Sequence, residues 1–119
     1  MKINYTLNVL FTFFTLSVFA QTIVSTEPEN KKVVLEEFTG ITCGYCPDGH
    51  AIAQNIQNNN PGNVFLINIH QGGYANPGNS GFDFRTPFGN ALAAQVGANF
   101  YPSGTINRNS NALSRSAWT

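Results

Sequence analysis

The chain has 119 residues, of which only 10% are charged, against roughly 25% in an average soluble domain. Six Lys and Arg balance six Asp and Glu, and this zero net charge excludes a polybasic nucleic-acid binder and an acidic disordered tail. The length suits one domain, a hydrophobic content of 42% suffices for a core, and two cysteines exclude a multi-disulfide scaffold.

Residues 1–20 read as an export signal. Met1 and Lys2 open it with positive charge. Leu7 to Phe19 is almost wholly apolar, and Val18-Phe19-Ala20 offers a signal-peptidase site before Gln21. The apolar run is shorter than the about 20 residues that a spanning helix needs. Without Lys2 the mature chain carries five basic and six acidic residues. An exported chain meets oxidising surroundings in which a cysteine pair can form a lasting disulfide.

Residues 21–32 form a polar lead-in, and 33–119 the folded domain. Val33-Val34-Leu35-Glu36-Glu37-Phe38 begins with β-branched residues and is predicted as a strand. Of its two acids, alternation along a strand turns only one inward. A loop, 39–42, leads to Cys43-Gly44-Tyr45-Cys46-Pro47, and a helix is predicted from Cys46 to about Gln57. Ala51, Ile52 and Ile56 mark its apolar side. Pro47 falls in its first turn, where a missing N–H costs little, and Asn58-Asn59-Asn60-Pro61-Gly62 stops it. Val64 to His70 is the strongest strand, nearly continuous in apolar residues and so expected to be covered on both faces. Strand, helix and strand at this spacing form a βαβ unit with a parallel pair. A Gly- and Pro-rich loop spans 71–87, and Tyr74, Phe82 and Phe84 within it are expected to form a small packing cluster. A second helix covers 88–96 with Gly97 as its stop, and a third strand covers 105–107. Beyond Arg108, which is expected to satisfy a carboxylate or carbonyls at the strand end, no pattern is left.

The chemistry lies in Cys43-x-x-Cys46 between a strand and a helix. Two cysteines so spaced on a helix's first turn are close enough to bridge, and unpaired amides with the helix dipole stabilise a thiolate there. A thiol with a pKa of about 8.5 is about 3% ionised at pH 7, and one lowered to about 6 is about 90% ionised. Two other readings of the pair stay open: a static disulfide, and a zinc site in which His50 and His70 join Cys43 and Cys46.

With Glu37 six residues before Cys43, and Tyr101-Pro102 just before the third strand, the chain resembles thioredoxin-like thiol–disulfide oxidoreductases. Gly44-Tyr45 is similar to the dipeptide of periplasmic disulfide isomerases. Glu36-Glu37-Phe38-Thr39-Gly40 and Tyr101-Pro102-Ser103-Gly104-Thr105-Ile106-Asn107-Arg108 further resemble the twenty-eight-kilodalton outer-membrane protein family of bacteria. The resemblance implies an α/β fold with a mixed sheet. It also implies a buried Glu37 that carries the proton of Cys46, and a cis-proline at Pro102 that faces the sulfurs. Cys43 would attack, Cys46 would resolve, and residues 101 and 103 would offer backbone groups to a substrate strand. Catalytic candidates are therefore Cys43, Cys46, Glu37 and Pro102, with no cofactor or metal. Expected partners are disulfide-bearing proteins or peptides and a redox partner, in the periplasm or at the outer membrane. The alternative is a surface binding protein that keeps the fold and a structural disulfide. The chain departs from the thioredoxin pattern at Thr42, where a Trp is usual, and in lacking a Lys near Leu66. It also leaves too few residues for the family's last strand and helix, so it reads as a fragment.

Overall fold

The structure, a computed structural model, describes residues 27–79 and 81–119. The export signal expected at residues 1–20 lies outside the described residues. Four strands and two α-helices follow in the order β1 (Val33–Thr39), α1 (Cys46–Asn59), β2 (Val64–His70), α2 (Pro87–Gln95), β3 (Ser103–Ile106) and β4 (Leu113–Ser114). Short 3-10 turns cover Gly73–Ala75 and Arg115–Ala117. The sheet order is β2-β1-β3-β4, with β1 and β2 parallel and the other two pairs antiparallel. This mixed α/β sheet built on a βαβ unit is the architecture the sequence predicts. The last strand, for which too few residues were expected to remain, is nevertheless present in short form, as two residues paired with Ser103 and Gly104, which corrects that expectation. Among the described residues no α-helix follows it.

Register sorts the side chains onto two faces. Leu35, Glu37 and Thr39 share one face, and α1 lies over it. There Leu35, Ala53 and Trp118 form a core, with Ile52, Ile56, Leu66, Ile106 and Leu113 packed around it. Ala53, rather than the predicted Ala51, is the buried alanine of α1. It follows Cys46 and Gly49 at spacings of three and four residues, which is the helix's inward stripe. Val34, Glu36 and Phe38 share the opposite face with Phe65, Ile67 and Ile69. Here α2 contributes Ala93 against Phe38 and Ile69, and Val96, the first residue past the helix, joins them. Thr86 caps α2 by accepting from the Gly89 amide at 2.9 Å, and Gly97 ends it at φ 64°.

The double cover expected for β2 is not complete. β2 is an edge strand, and α2 reaches only the Ile69 end of its face, so Phe65 and Ile67 stay 48% and 47% exposed. The same uncovered region holds a groove of about 370 Å³ lined by Val34, Glu36, Ile67, Asn107 and Arg108.

Both acids of β1 are buried, which corrects the expectation of a single inward one: Glu36 is 4% exposed and Glu37 1%. Alternation does send them to opposite faces, and each face has its own partner. Arg108 grips Glu36 through Nε and Nη2, with the Nε contacts at 2.8 and 3.0 Å. Asn107 and Arg108 have positive φ values, 51° and 54°. Asn107 is pinned there by a 2.7 Å bond from the Val34 amide to its Oδ1 and a 2.9 Å bond from its own amide to the Val34 carbonyl. This reversal carries Arg108 back over the sheet.

Candidate functional site

The end of β1 and the start of α1 build the site. After Thr39 the chain turns at Gly40, where a Cβ would overlap the backbone of Tyr74. Thr42 is fastened to the Tyr74 carbonyl twice, from its amide at 3.0 Å and its hydroxyl at 2.9 Å. The Cys43 amide donates back to the Gly40 carbonyl, and the Cys46 amide to the Cys43 carbonyl, each at 3.2 Å. Cys43 therefore lies in a turn just ahead of the helix, and only Cys46 is helical, which refines the expectation of both sulfurs on the first turn.

Cys43 and Cys46 are joined as a disulfide with their Cα atoms 5.4 Å apart, and neither is free. Cys43 is 8% exposed and Cys46 1%, so a reagent meets Cys43 first. Among the described residues no side chain caps the start of α1, which leaves its electropositive end to the sulfurs. Asp48, in the first turn, would oppose that effect, but it is paired with Arg115 at 2.5 Å. The Arg115 guanidinium also lies 5.3 Å above the ring of Tyr45, the residue preceding Cys46. The chain's last turn thus supplies a cation beside the disulfide turn, a contact that the patternless tail does not announce.

Beneath the helix lies Glu37. Its Oε2 meets His50 Nδ1 at 2.8 Å, while its buried Oε1 has no hydrogen-bond partner among the described residues. Burial pushes the Glu37 carboxyl above the usual carboxylate range, and the His50 charge and hydrogen bond oppose that rise. Gly49 makes the arrangement possible. A Cβ at that position would stand 2.8 Å from Glu37 Oε1 and from Pro102 Cγ. The Tyr101-Pro102 peptide bond is cis, and Pro102 is buried against this spot. Glu37, Gly49 and Pro102 are thus brought together in contact, and Cys46 lies one helical turn before Gly49 on the same stripe.

The backbone at 103 is not available as expected. Ser103 is in register with Phe38 on one side and Ser114 on the other, so β3 and its neighbours already use it. Tyr101 lies outside the ladder. Its hydroxyl accepts from Gln71 Nε2, and its ring meets Tyr74 edge-on at 5.8 Å. Of the three loop aromatics expected to cluster, Phe82 stacks on Phe84, whose ring meets His70 at a tilt, while Tyr74 meets Tyr101; all three remain exposed. Ile41 and Tyr45, on either side of Cys43, are exposed as well.

The zinc alternative does not assemble. The two sulfurs are bonded to each other, His50 is engaged with Glu37, and among the described residues no group of three His, Cys, Asp or Glu is placed to hold a metal ion. His70 is kept below the usual histidine range by burial and, second, by His50. His50 as the partner of Glu37 is not among the site residues that the sequence suggests. Its position four residues after Cys46, on the same face of the helix, is the signal that was there to use. No described helix is long and apolar enough to cross a membrane. No protein-family model matches the chain, and no curated protein does either.

Proposed function

We propose that this domain exchanges disulfides with exported proteins or peptides through Cys43 and Cys46. The observation that carries the reading is a Cys-x-x-Cys disulfide at an uncapped helix start, its inner sulfur on the helix stripe that covers a buried carboxyl. In the reduced protein the Cys43 thiolate attacks one sulfur of a substrate disulfide, and the other substrate sulfur leaves as a thiolate. Cys46 then gives its proton to Glu37 and attacks the Cys43 sulfur. The bond between Cys43 and the substrate breaks, and its electron pair leaves with the substrate sulfur. The substrate gains two electrons, and Cys43–Cys46 is restored as a disulfide. A dithiol redox partner returns the pair to the thiol state. Ile41, Tyr45 and Tyr74 give an apolar rim on which an unfolded segment can rest.

The leader-like pattern of residues 1–20 and the resemblance to the twenty-eight-kilodalton outer-membrane protein family support a site of action outside the cytoplasm. The test is reduction of insulin by dithiothreitol with and without the protein. The native protein accelerates it, and Cys43→Ser abolishes the acceleration.

A second reading, a binding protein with a structural disulfide, is favoured by one observation, the uncovered apolar patch at Phe65 and Ile67. It requires a disulfide whose own reduction potential lies below about −300 mV.

A further inference from the structure

Glu37 is a carboxyl with two unlike oxygens. Oε1 points into the interior beside Gly49 and Pro102 and has no partner among the described residues, whereas Oε2 is taken by His50. His50 is the route between this buried acid and water, since its own side chain is 40% exposed while that of Glu37 is 2%. The other ring nitrogen, Nε2, is 3.4 Å from Thr39 Oγ1. A hydroxyl can donate to a neutral ring nitrogen or accept from a protonated one, so Thr39 serves both charge states of His50. Whenever Glu37 is ionised, the Nδ1 that faces it carries a proton.

Resting on the exchange reading above, we propose that His50 is the positioning residue that sets the charge of Glu37, and through Glu37 the pH range over which Cys46 releases its proton. The groups facing Glu37 leave this task to His50. On α1 His50 touches Glu37, Cys46 lies one turn before Gly49 on the helix stripe that covers it, and Asp48 is engaged by Arg115. On β2 the residue in register with Glu37 is Asn68, which does not titrate, and the titratable group further along that strand is His70, in register with Thr39 and held toward its neutral form by burial. On β3 the residue opposite Glu37 is Gly104, and before β3 the Tyr101 hydroxyl is bound by Gln71. Glu36 is on the other face with Arg108. The reaction step is a single proton transfer. The S–H bond of Cys46 breaks, the electron pair stays on sulfur, and the proton goes to Glu37 Oε1. A charged His50 keeps Glu37 ionised and able to accept that proton at a lower pH than burial alone allows.

The test uses the full mature chain. The Glu37 side-chain carboxyl is followed by carbon NMR across pH in the oxidised protein, and the rate of disulfide exchange across pH in the reduced one. His50→Gln keeps a hydrogen bond but no titrating charge, and His50→Lys keeps a permanent one. Circular dichroism verifies that both variants fold. With His50→Gln, the Glu37 transition and the acid limb of the rate profile both move to higher pH, and exchange at pH 6 falls several-fold. With His50→Lys, both stay at or below their native positions. A Glu37 transition unmoved by His50→Gln overturns the proposal while leaving the exchange reading intact. A transition that moves while the rate profile does not overturns the proton route from Cys46 to Glu37. Absence of exchange by the native protein overturns the exchange reading and the proposal with it.

Discussion

Replacing Gly49 by Ala sets two known effects against each other. In an exposed helix interior Ala is favoured over Gly by ~0.8–1.0 kcal/mol. At position 49 the added methyl meets Glu37 Oε1 and Pro102 Cγ at 2.8 Å and Pro102 Cβ at 2.9 Å. Carbon atoms pack best at about 3.5–4.0 Å, so the overlap is ~0.7 Å against a proline ring that cannot rotate away. Overpacking of this kind costs ~1–3 kcal/mol. The carboxyl could yield only by giving up its 2.8 Å contact with His50. The balance is a net loss of about 1 kcal/mol. Gly44→Ala is the matched control, because a Cβ there has nothing among the described residues within 4 Å, and its effect stays within about 0.5 kcal/mol. Urea unfolding of the oxidised protein reads both through the midpoint at constant slope. If Gly49→Ala raised the midpoint as an exposed helix substitution does, the packing of α1 on Glu37 and Pro102 would be refuted.

Burial raises the Glu37 carboxyl above its ordinary value of 4.5, so the native state takes up this proton at a higher pH than the unfolded chain. The associated stability is full below the unfolded value and is lost as pH climbs through the native one. Glu37→Gln removes that loss, so its stability advantage over the native protein grows from pH 4 to pH 8. Parallel urea midpoints across that range would count against a desolvated acid. Trp118→Ala removes the ring that packs on Gly104 and joins Leu35 and Ala53. It is expected to cost ~3–5 kcal/mol by circular dichroism melts or urea unfolding, and a loss below about 1 kcal/mol would mean that the last turn does not seal the core. Under graded reduction, iodoacetamide labels Cys43 before Cys46, in keeping with exposures of 8% and 1%. Mass spectrometry of the labelled peptides decides it, and the reverse order would contradict the assignment of attacking and resolving sulfurs.

The elements legible in the sequence are those whose signal is local. β1, α1 and β2 follow from short apolar runs and the stop at Asn58–Gly62, and the cap at Gly97 follows from one residue type. What was illegible depends on distant chain. Alternation along β1 separates Glu36 from Glu37, yet it does not disclose that Arg108, 72 residues on, returns through two left-handed residues to cover Glu36. The apolar run of β2 looks doubly covered until its edge position leaves Phe65 and Ile67 open. β4 is too short to carry a period. In the site, the cysteine spacing and the Tyr101-Pro102 dipeptide are visible from sequence. The Glu37–His50 pair is not, because it joins a strand to a helix across 13 residues and depends on Gly49 letting the helix approach.

The most direct measurement is a trapping experiment. Cys46→Ser, reduced and mixed with a disulfide-bearing peptide, leaves Cys43 without its resolving partner. The account expects a mixed disulfide between Cys43 and the peptide to accumulate, visible by mass spectrometry and released by dithiothreitol. A Cys43 that forms no adduct, in a variant shown to be folded, would contradict the proposed exchange at this pair.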